Sequence, residues 1–125
     1  MKALVVVCLV LCSGAALAQG RKQPEQNPSW IGRWYSGSDG SECKGKGYQT
    51  QGLWVYTAKE LRGMETRCRI ESTKPKGNAV EMLLRCRGEG ETWTERETVS
   101  VSGNKLQRQS MVDGKPVSST HTRCP

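Results

Sequence analysis

The sequence predicts an all-β domain, a small antiparallel meander of about seven or eight strands that closes into a barrel. Hydrophobic and polar residues alternate with a period of two through most of the chain. Short segments rich in glycine, proline, serine and aspartate separate these alternating stretches. We favour a barrel over the alternative, a β-sandwich, because closure leaves no edge strand to protect.

The strands are predicted in order along the chain. The alternating stretches are WIGRWYS, GLWVYT, METRCRIES, AVEMLLRCR, TWTERETVSVS, KLQRQSM and PVSSTHTRC. The connecting segments GSDGS, TKPKGN, GEG, SGNK and VDGKP have the composition of turns. Only TAKELRG could hold a helical turn, and it is too short to be a stable helix alone.

The N-terminal residues have the pattern of a secretory signal peptide. An apolar run from Ala3 to Leu11 is followed by Ala16-Leu17-Ala18, which predicts cleavage after Ala18. The apolar run is too short to span a membrane. We therefore expect a periplasmic or secreted protein with a signal peptide at 1–18, a flexible arm at 19–29 and a single β domain at 30–125.

Cysteines remain at four positions after this cleavage, namely Cys43, Cys68, Cys86 and Cys124. An even number in an exported chain predicts two disulfides. They are needed because the hydrophobic core is thin, with no phenylalanine in the chain. Sequence allows three pairings, of which we favour Cys43 with Cys68 and Cys86 with Cys124, since the second bridge closes a long loop.

Neither a metal site nor an enzyme site is predicted. The chain has no Cys-x-x-Cys pair and only one histidine, His121, so we expect no metal and no cofactor. Ser118, Ser119 and Thr120 precede His121, but adjacent strand residues point to opposite faces and no nucleophile motif is present. We expect His121 to be either exposed or hydrogen-bonded within the fold, and the protein not to be an enzyme.

Arginines flank the two central cysteines. If Cys68 lies opposite Cys86 in a hairpin, the outward face of that hairpin carries Arg67, Arg69, Arg85 and Arg87. Such like charges can be balanced locally by Glu65, Glu71 and Glu81, as on an ordinary charged surface. The functional interpretation is an anion-binding patch, extended by Lys74 and Lys76, for an anionic glycan, a phosphate or an acidic protein.

The stretch GEGETWTERETVSVS contains a conflict, because Glu95 and Glu97 share one strand face with Trp93, Val99 and Val101. A β-bulge near Arg96 would resolve the conflict by switching faces midway along the strand, or the two carboxylates could lie on a solvated rim. The functional alternative is a pair of carboxylates at the mouth of the barrel.

Two resemblances support the fold and the location. The triplet Gly32-Arg33-Trp34 resembles the start of lipocalins and other calycins, in which the tryptophan closes one end of a barrel. Gly63-x-Glu65-x-x-Cys68, Cys86-x-Gly88-Glu89-Gly90-x-x-Trp93 and Arg123-Cys124 resemble uncharacterised small exported proteins of rhizobia-like alphaproteobacteria. This second resemblance implies export and a four-cysteine β domain, and it implies no activity.

The main functional prediction is a non-enzymatic binding module of the bacterial envelope. In size, expected export and disulfides the chain is similar to periplasmic inhibitors of lysozyme, which present a loop to the cleft of the enzyme. The stretch YSGSDGSECKGKG, with Lys44 and Lys46, would serve as this loop, so an inhibitor of a secreted lysozyme or protease is an alternative. A second alternative is a structural envelope stress protein without a specific ligand. The formal net charge of +7 suits acidic partners, but export separates the protein from cytoplasmic nucleic acid, which we do not expect as a partner. The sequence leaves the oligomeric state open.

Overall fold

A computed structural model describes residues 28–45 and 50–125. These residues form a closed barrel of eight antiparallel strands, in which each strand pairs with the next and the last pairs with the first. This confirms the predicted all-β barrel. The strands are β1 (Gly32–Tyr35), β2 (Leu53–Tyr56), β3 (Glu60–Arg62), β4 (Arg67–Lys76), β5 (Ala79–Gly88), β6 (Glu91–Ser102), β7 (Lys105–Val112) and β8 (Lys115–Arg123).

The only helix among the described residues is a single 3₁₀ turn, Ser41–Lys44, between β1 and β2. No described helix has the length and apolar character that crossing a membrane requires. The helical turn expected within TAKELRG is wrong, because this segment contains β3, whose Leu61 is fully buried between β2 and β4. Thr57 holds the turn before β3, since its hydroxyl accepts a hydrogen bond from the Glu60 backbone N–H at 3.0 Å.

Trp34 of β1 belongs to the hydrophobic core of the barrel. The Trp34 side chain is fully buried, and its indole N–H donates to the carbonyl of Trp30 at 3.0 Å. The guanidinium of Arg123 stacks on the other side, 4.1 Å from the ring centroid of Trp34. Gly32 has a φ of 145°, and a Cβ there would lie 2.7 Å from Nη1 of Arg123. The Gly-x-Trp triplet therefore combines a close approach of Arg123 to the backbone of Gly32 with a buried tryptophan.

The two disulfides are Cys43–Cys124 and Cys68–Cys86, so the pairing favoured from sequence is wrong. Cys68 and Cys86 are directly opposed in the β4–β5 pair, with 3.9 Å between their Cα atoms. Arg33 lies between Cys43 and Cys124 and binds both. Its guanidinium donates a hydrogen bond to the backbone carbonyl of Cys43, and its backbone carbonyl accepts one from the N–H of Cys124. Two disulfides are typical of proteins that fold in an oxidising compartment.

The β-bulge expected near Arg96 is absent. The β5–β6 pairing runs without interruption from Val80 opposite Val99 to Gly88 opposite Glu91. The irregularity lies instead in β4, where Glu71 is an extra residue between Ile70 and Ser72. Consequently β6 keeps one set of alternate residues facing inward along its full length.

The long strands extend beyond their short neighbours and leave sheet edges without a partner among the described residues. Beyond Ile70, β4 has no partner on the β3 side, and β8 has no partner on the β1 side before Thr122. Pro75 and Pro116 lie on these edges, each beside a lysine. Proline and lysine discourage pairing with the strands of other molecules, so the open edges are protected.

Candidate anion-binding site

The four predicted arginines lie together on the outer face of the β4–β5 hairpin. Arg67 is paired with Arg87, and Arg69 is paired with Arg85, on either side of the Cys68–Cys86 pair. All four are exposed, whereas Cys68 and Cys86 are 1% exposed. Strand alternation therefore sends the disulfide into the barrel and the guanidiniums into solvent, as the sequence predicts.

These arginines line a groove on the barrel wall with a volume of about 670 Å³. Glu60 and two threonines of β6, Thr92 and Thr94, contribute to the same groove. Trp93 lies between these threonines in sequence, but its indole N–H donates to Glu95 at 3.2 Å on the opposite face of β6. The groove is thus built mainly from cationic and hydroxyl groups, and Trp93 also contributes to its lining.

Glu60 of β3 holds one side of the groove. Its carboxylate accepts hydrogen bonds from Arg67 at 2.6 and 3.0 Å and from Arg62 at 2.8 Å. The hydrogen bonds from Arg67, and next those from Arg62, hold the pKa of Glu60 below its usual value. One carboxylate therefore neutralises only part of the charge of two guanidiniums.

Glu71, the extra residue of β4, also contacts two arginines. Its Oε1 accepts from Arg69 at 2.6 Å and lies 3.1 Å from Nε of Arg85. The hydrogen bond from Arg69 lowers the pKa of Glu71, so this carboxylate stays charged well into acid. The two arginine side chains remain 65% and 68% exposed, and ion pairs so open to water are weak.

Arg87 has no hydrogen-bond or ion-pair partner among the described residues, although it faces Arg67 directly across the strand pair. Like charges directly opposed on one sheet face destabilise the sheet. The groove therefore carries an excess of positive charge that the described part of the chain does not balance.

Lys74 and Lys76 lie on the same outer face, further along the hairpin. Lys74 is opposite Glu81, and Lys76 forms a 3.7 Å ion pair with Glu81. Arg96 of β6 also reaches Glu81 at 3.4 Å, with 66% of its side chain exposed. Sequence reasoning missed Arg96 because it placed a bulge there; an uninterrupted alternation through TWTERET puts Arg96 on the outer face.

The conflict in β6 is resolved inside the barrel by an ion pair. Glu97 is 1% exposed, and its carboxylate accepts two hydrogen bonds from Arg108 of β7, at 2.7 and 3.1 Å. The buried hydroxyl of Tyr56 donates to the same carboxylate. Glu97 is thus a structural residue rather than one of two carboxylates at an open mouth.

The guanidinium of Arg108 also packs against the ring of Trp54. The guanidinium carbon lies 4.2 Å from the Trp54 ring centroid, a cation–π geometry. Burial alone would lower the pKa of Arg108, but Tyr56 and Glu97 beside it raise the value. Burial also raises the pKa of Tyr56 well above its usual range. Tyr56 therefore stays a neutral donor and Arg108 stays a cation.

His121 is buried next to this ion pair. Its Nε2 lies 3.0 Å from the hydroxyl of Ser119, two residues earlier on the same strand face, whereas its Nδ1 has no partner among the described residues. Burial, and next the positive charge of Arg108, lower the pKa of His121 from 6.5 to about 4, although Glu97 opposes this shift. The imidazole is therefore neutral at physiological pH.

We expect this histidine to make the protein less stable as the pH falls from 6.5 towards 4. In that interval the unfolded chain binds a proton at His121 that the folded chain does not, so the free energy of unfolding decreases with falling pH. The limiting slope is about 1.4 kcal/mol per pH unit. Urea unfolding of wild type and His121→Gln, measured between pH 4 and 8, should show a stability difference that changes only within this interval. Parallel curves would contradict the assignment.

Other candidate residues are not brought into this site. Lys44 is exposed at the end of the 3₁₀ turn, and Lys46 lies outside the described residues. The Cys68 and Cys86 sulfurs and a Glu95 oxygen lie within 4.8 Å of one another. The two sulfurs are bonded to each other, and metal binding by cysteine uses the thiolate.

No protein-family model, curated protein or solved structure matches this chain. The resemblances to calycins, to exported alphaproteobacterial proteins and to lysozyme inhibitors therefore stay predictions. Any function proposed for this protein therefore rests on the geometry of the described residues.

Proposed function

We propose that this protein is a non-enzymatic binding module that recognises an anionic ligand through the four arginines of the β4–β5 hairpin. The ligand lies in the 670 Å³ groove and accepts hydrogen bonds from exposed guanidiniums. We further propose that the protein acts in the periplasm or outside the cell, after removal of residues 1–18. The two disulfides and the signal-like N-terminal sequence support this location.

The observation that carries the proposal is the register of the hairpin. Arg67 opposite Arg87 and Arg69 opposite Arg85 concentrate four cations on two neighbouring rows of the sheet. In the free protein this arrangement costs stability, and only Glu60 and Glu71 offset it within the groove. A bound anion would provide the missing counter-charge.

The proposal is tested by removing two of these charges with Arg85→Gln/Arg87→Gln. We expect this variant to bind heparin about tenfold more weakly than wild type, because two exposed charge-assisted contacts are lost. The salt dependence of binding should also become less steep. Isothermal titration at several salt concentrations measures both quantities. The melting temperature of the variant should equal or exceed that of wild type, since it relieves repulsion between arginines.

The matched control is Lys44→Gln/Lys115→Gln. It removes the same formal charge from the 3₁₀ turn and from β8, which lie across the closed barrel from β5 and β4 respectively. This control should retain heparin binding. Equal weakening in both variants would mean that net charge alone attracts the ligand, and unchanged binding in the arginine variant would eliminate the site.

A further inference from the structure

The basic surface does not end at the four arginines. β5 and β6 pair without interruption, and β4 pairs with β5 on both sides of its extra residue Glu71, so the outer side chains of the three strands form successive rows across the sheet. Every row contains at least one cation: Arg67 and Arg87, then Arg69 and Arg85, then Arg96, then Lys74, then Lys76. We call this set of residues the basic stripe. It follows the strands rather than surrounding a single point.

The dimensions of the stripe suit an extended ligand. Adjacent rows are two residues apart along β5, which corresponds to about 7 Å. From Arg87 to the Lys76 row the stripe therefore extends about 26 Å. A single phosphate or carboxylate could contact one row of guanidiniums, and it would leave the remaining cations without a partner.

The carboxylates within the stripe do not interrupt it. Glu71 and Glu81 are each shared between two cations, at distances from 2.6 to 3.7 Å. Side chains of Lys76 and Arg96 are 65% and 66% exposed in these ion pairs. Such pairs contribute little stability, so these cations can turn towards a ligand at low cost.

The neutral groups beside the stripe favour a carbohydrate. Thr92, Thr94 and Thr98 of β6 lie in the same outer rows and present hydroxyls next to the cations. Strand alternation places no aromatic residue of β4, β5 or β6 on the outer face, and Trp93 is the one aromatic residue among those that line the groove. Proteins that bind single-stranded nucleic acid stack successive bases on aromatic rings, and a single tryptophan does not supply such a series.

We infer that the ligand is a linear acidic polysaccharide that lies along the basic stripe, parallel to the strands of the β4–β5 hairpin. This inference rests on the proposed function and extends it. The arginine rows bind carboxylate or sulfate groups at one end of the chain. Arg96, Lys74 and Lys76 bind anionic groups further along the same chain, and the threonine hydroxyls contact sugar hydroxyls.

The test compares oligosaccharides of different lengths. Fluorescently labelled heparin fragments from disaccharide to dodecasaccharide are titrated with wild type and with Lys74→Gln/Lys76→Gln at one fixed salt concentration. We expect the wild-type affinity to increase with length until a fragment spans the stripe. The lysine variant should bind the dodecasaccharide several-fold more weakly and the tetrasaccharide as tightly as wild type does. Lys44→Gln/Lys115→Gln is the control of equal charge and should follow wild type at every length.

Two further titrations test the chemical class of the ligand. Inorganic polyphosphate and oligodeoxythymidylate of matched charge are titrated under the same conditions. Both should bind more weakly than the heparin fragment of equal charge. Equal or tighter binding of either polyanion would overturn the assignment to polysaccharide.

The outcomes separate the inference from the proposed function. If Lys74→Gln/Lys76→Gln changes no affinity, or changes all lengths by the same factor, the extended stripe is wrong and the arginine groove stands. If Arg85→Gln/Arg87→Gln binds every fragment as wild type does, the proposed function itself fails. Circular dichroism and thermal melting of each variant verify that the barrel is intact.

Discussion

Replacing Glu97 with glutamine should destabilise the barrel by about 3 kcal/mol, because the variant leaves the cation of Arg108 buried without its counter-charge. The Glu97 side chain has no exposed surface, and the Arg108 side chain is 14% exposed. The loss is a large fraction of the stability of a small domain and corresponds to roughly 10 to 20 °C in melting temperature. Urea and thermal unfolding monitored by tryptophan fluorescence measure it.

Glu95→Gln is the matched control for this prediction. Glu95 is the neighbouring inward carboxylate of β6, is only half-buried, and accepts a hydrogen bond from Trp93 rather than from a buried cation. Its replacement should cost less than about 1 kcal/mol. The double variant Glu97→Leu/Arg108→Met removes both charges and should regain most of the stability lost by Glu97→Gln. A Glu97→Gln protein as stable as the control would show that the ion pair does not hold the interior together.

Removing the Cys43–Cys124 disulfide should have the other large effect. The bridge joins residues separated by 81 positions, and the restriction of the unfolded chain that it provides is worth about 4.5 kcal/mol. The Cys68–Cys86 bridge spans a separation of 18 positions and should contribute about 3 kcal/mol. We therefore expect Cys43→Ala/Cys124→Ala to be less stable than Cys68→Ala/Cys86→Ala.

Urea unfolding measures the free energy of unfolding of each double variant and so gives their order of stability. Peptide mapping of each protein under non-reducing conditions verifies that the remaining cysteines form their native bridge. The reverse order of stability would show that the packing of the buried Cys68–Cys86 pair in the core outweighs the length of the loop.

The hairpin that carries the site was predictable from the sequence. Opposing Cys68 to Cys86 fixes the register of the surrounding residues, and this places Arg67 and Arg69 opposite Arg87 and Arg85. The period of two then determines which side chains face outward. The positions of the two cysteines and the alternation of apolar and polar residues were sufficient to predict the arginine site, because both patterns lie within one hairpin.

The interior and the disulfide pairing were not predictable by the same reasoning. Glu97 of β6 and Arg108 of β7 belong to one hairpin, but Tyr56 of β2 reaches the same carboxylate from 41 residues away, and no local pattern encodes that contact. Sequence reasoning consequently invoked a bulge to keep a carboxylate out of the core. The disulfide pairing depends on β1 lying next to β8, a contact between the two ends of the domain.

The basic stripe could be predicted from the sequence only in part. Lys74 and Lys76 were expected in the hairpin loop as an extension of the arginine patch, but they lie in β4. The extra residue Glu71 places them on the outer face, whereas an unbroken alternation from Cys68 would have turned them inward. Arg96 joins the stripe because the β5–β6 pairing is uninterrupted at this position. A bulge near Arg96 would have changed which side chains of β6 face outward.

The closing seam between β1 and β8 also determines when this protein can finish folding. Among the described strands, Trp34 and Tyr35 obtain their second strand partners only from Arg123 and Thr122, the last two residues of β8. These contacts join the first strand to the last, and contacts of such large sequence separation form slowly because a long loop must close first. The barrel therefore remains an open meander until the end of β8 reaches β1.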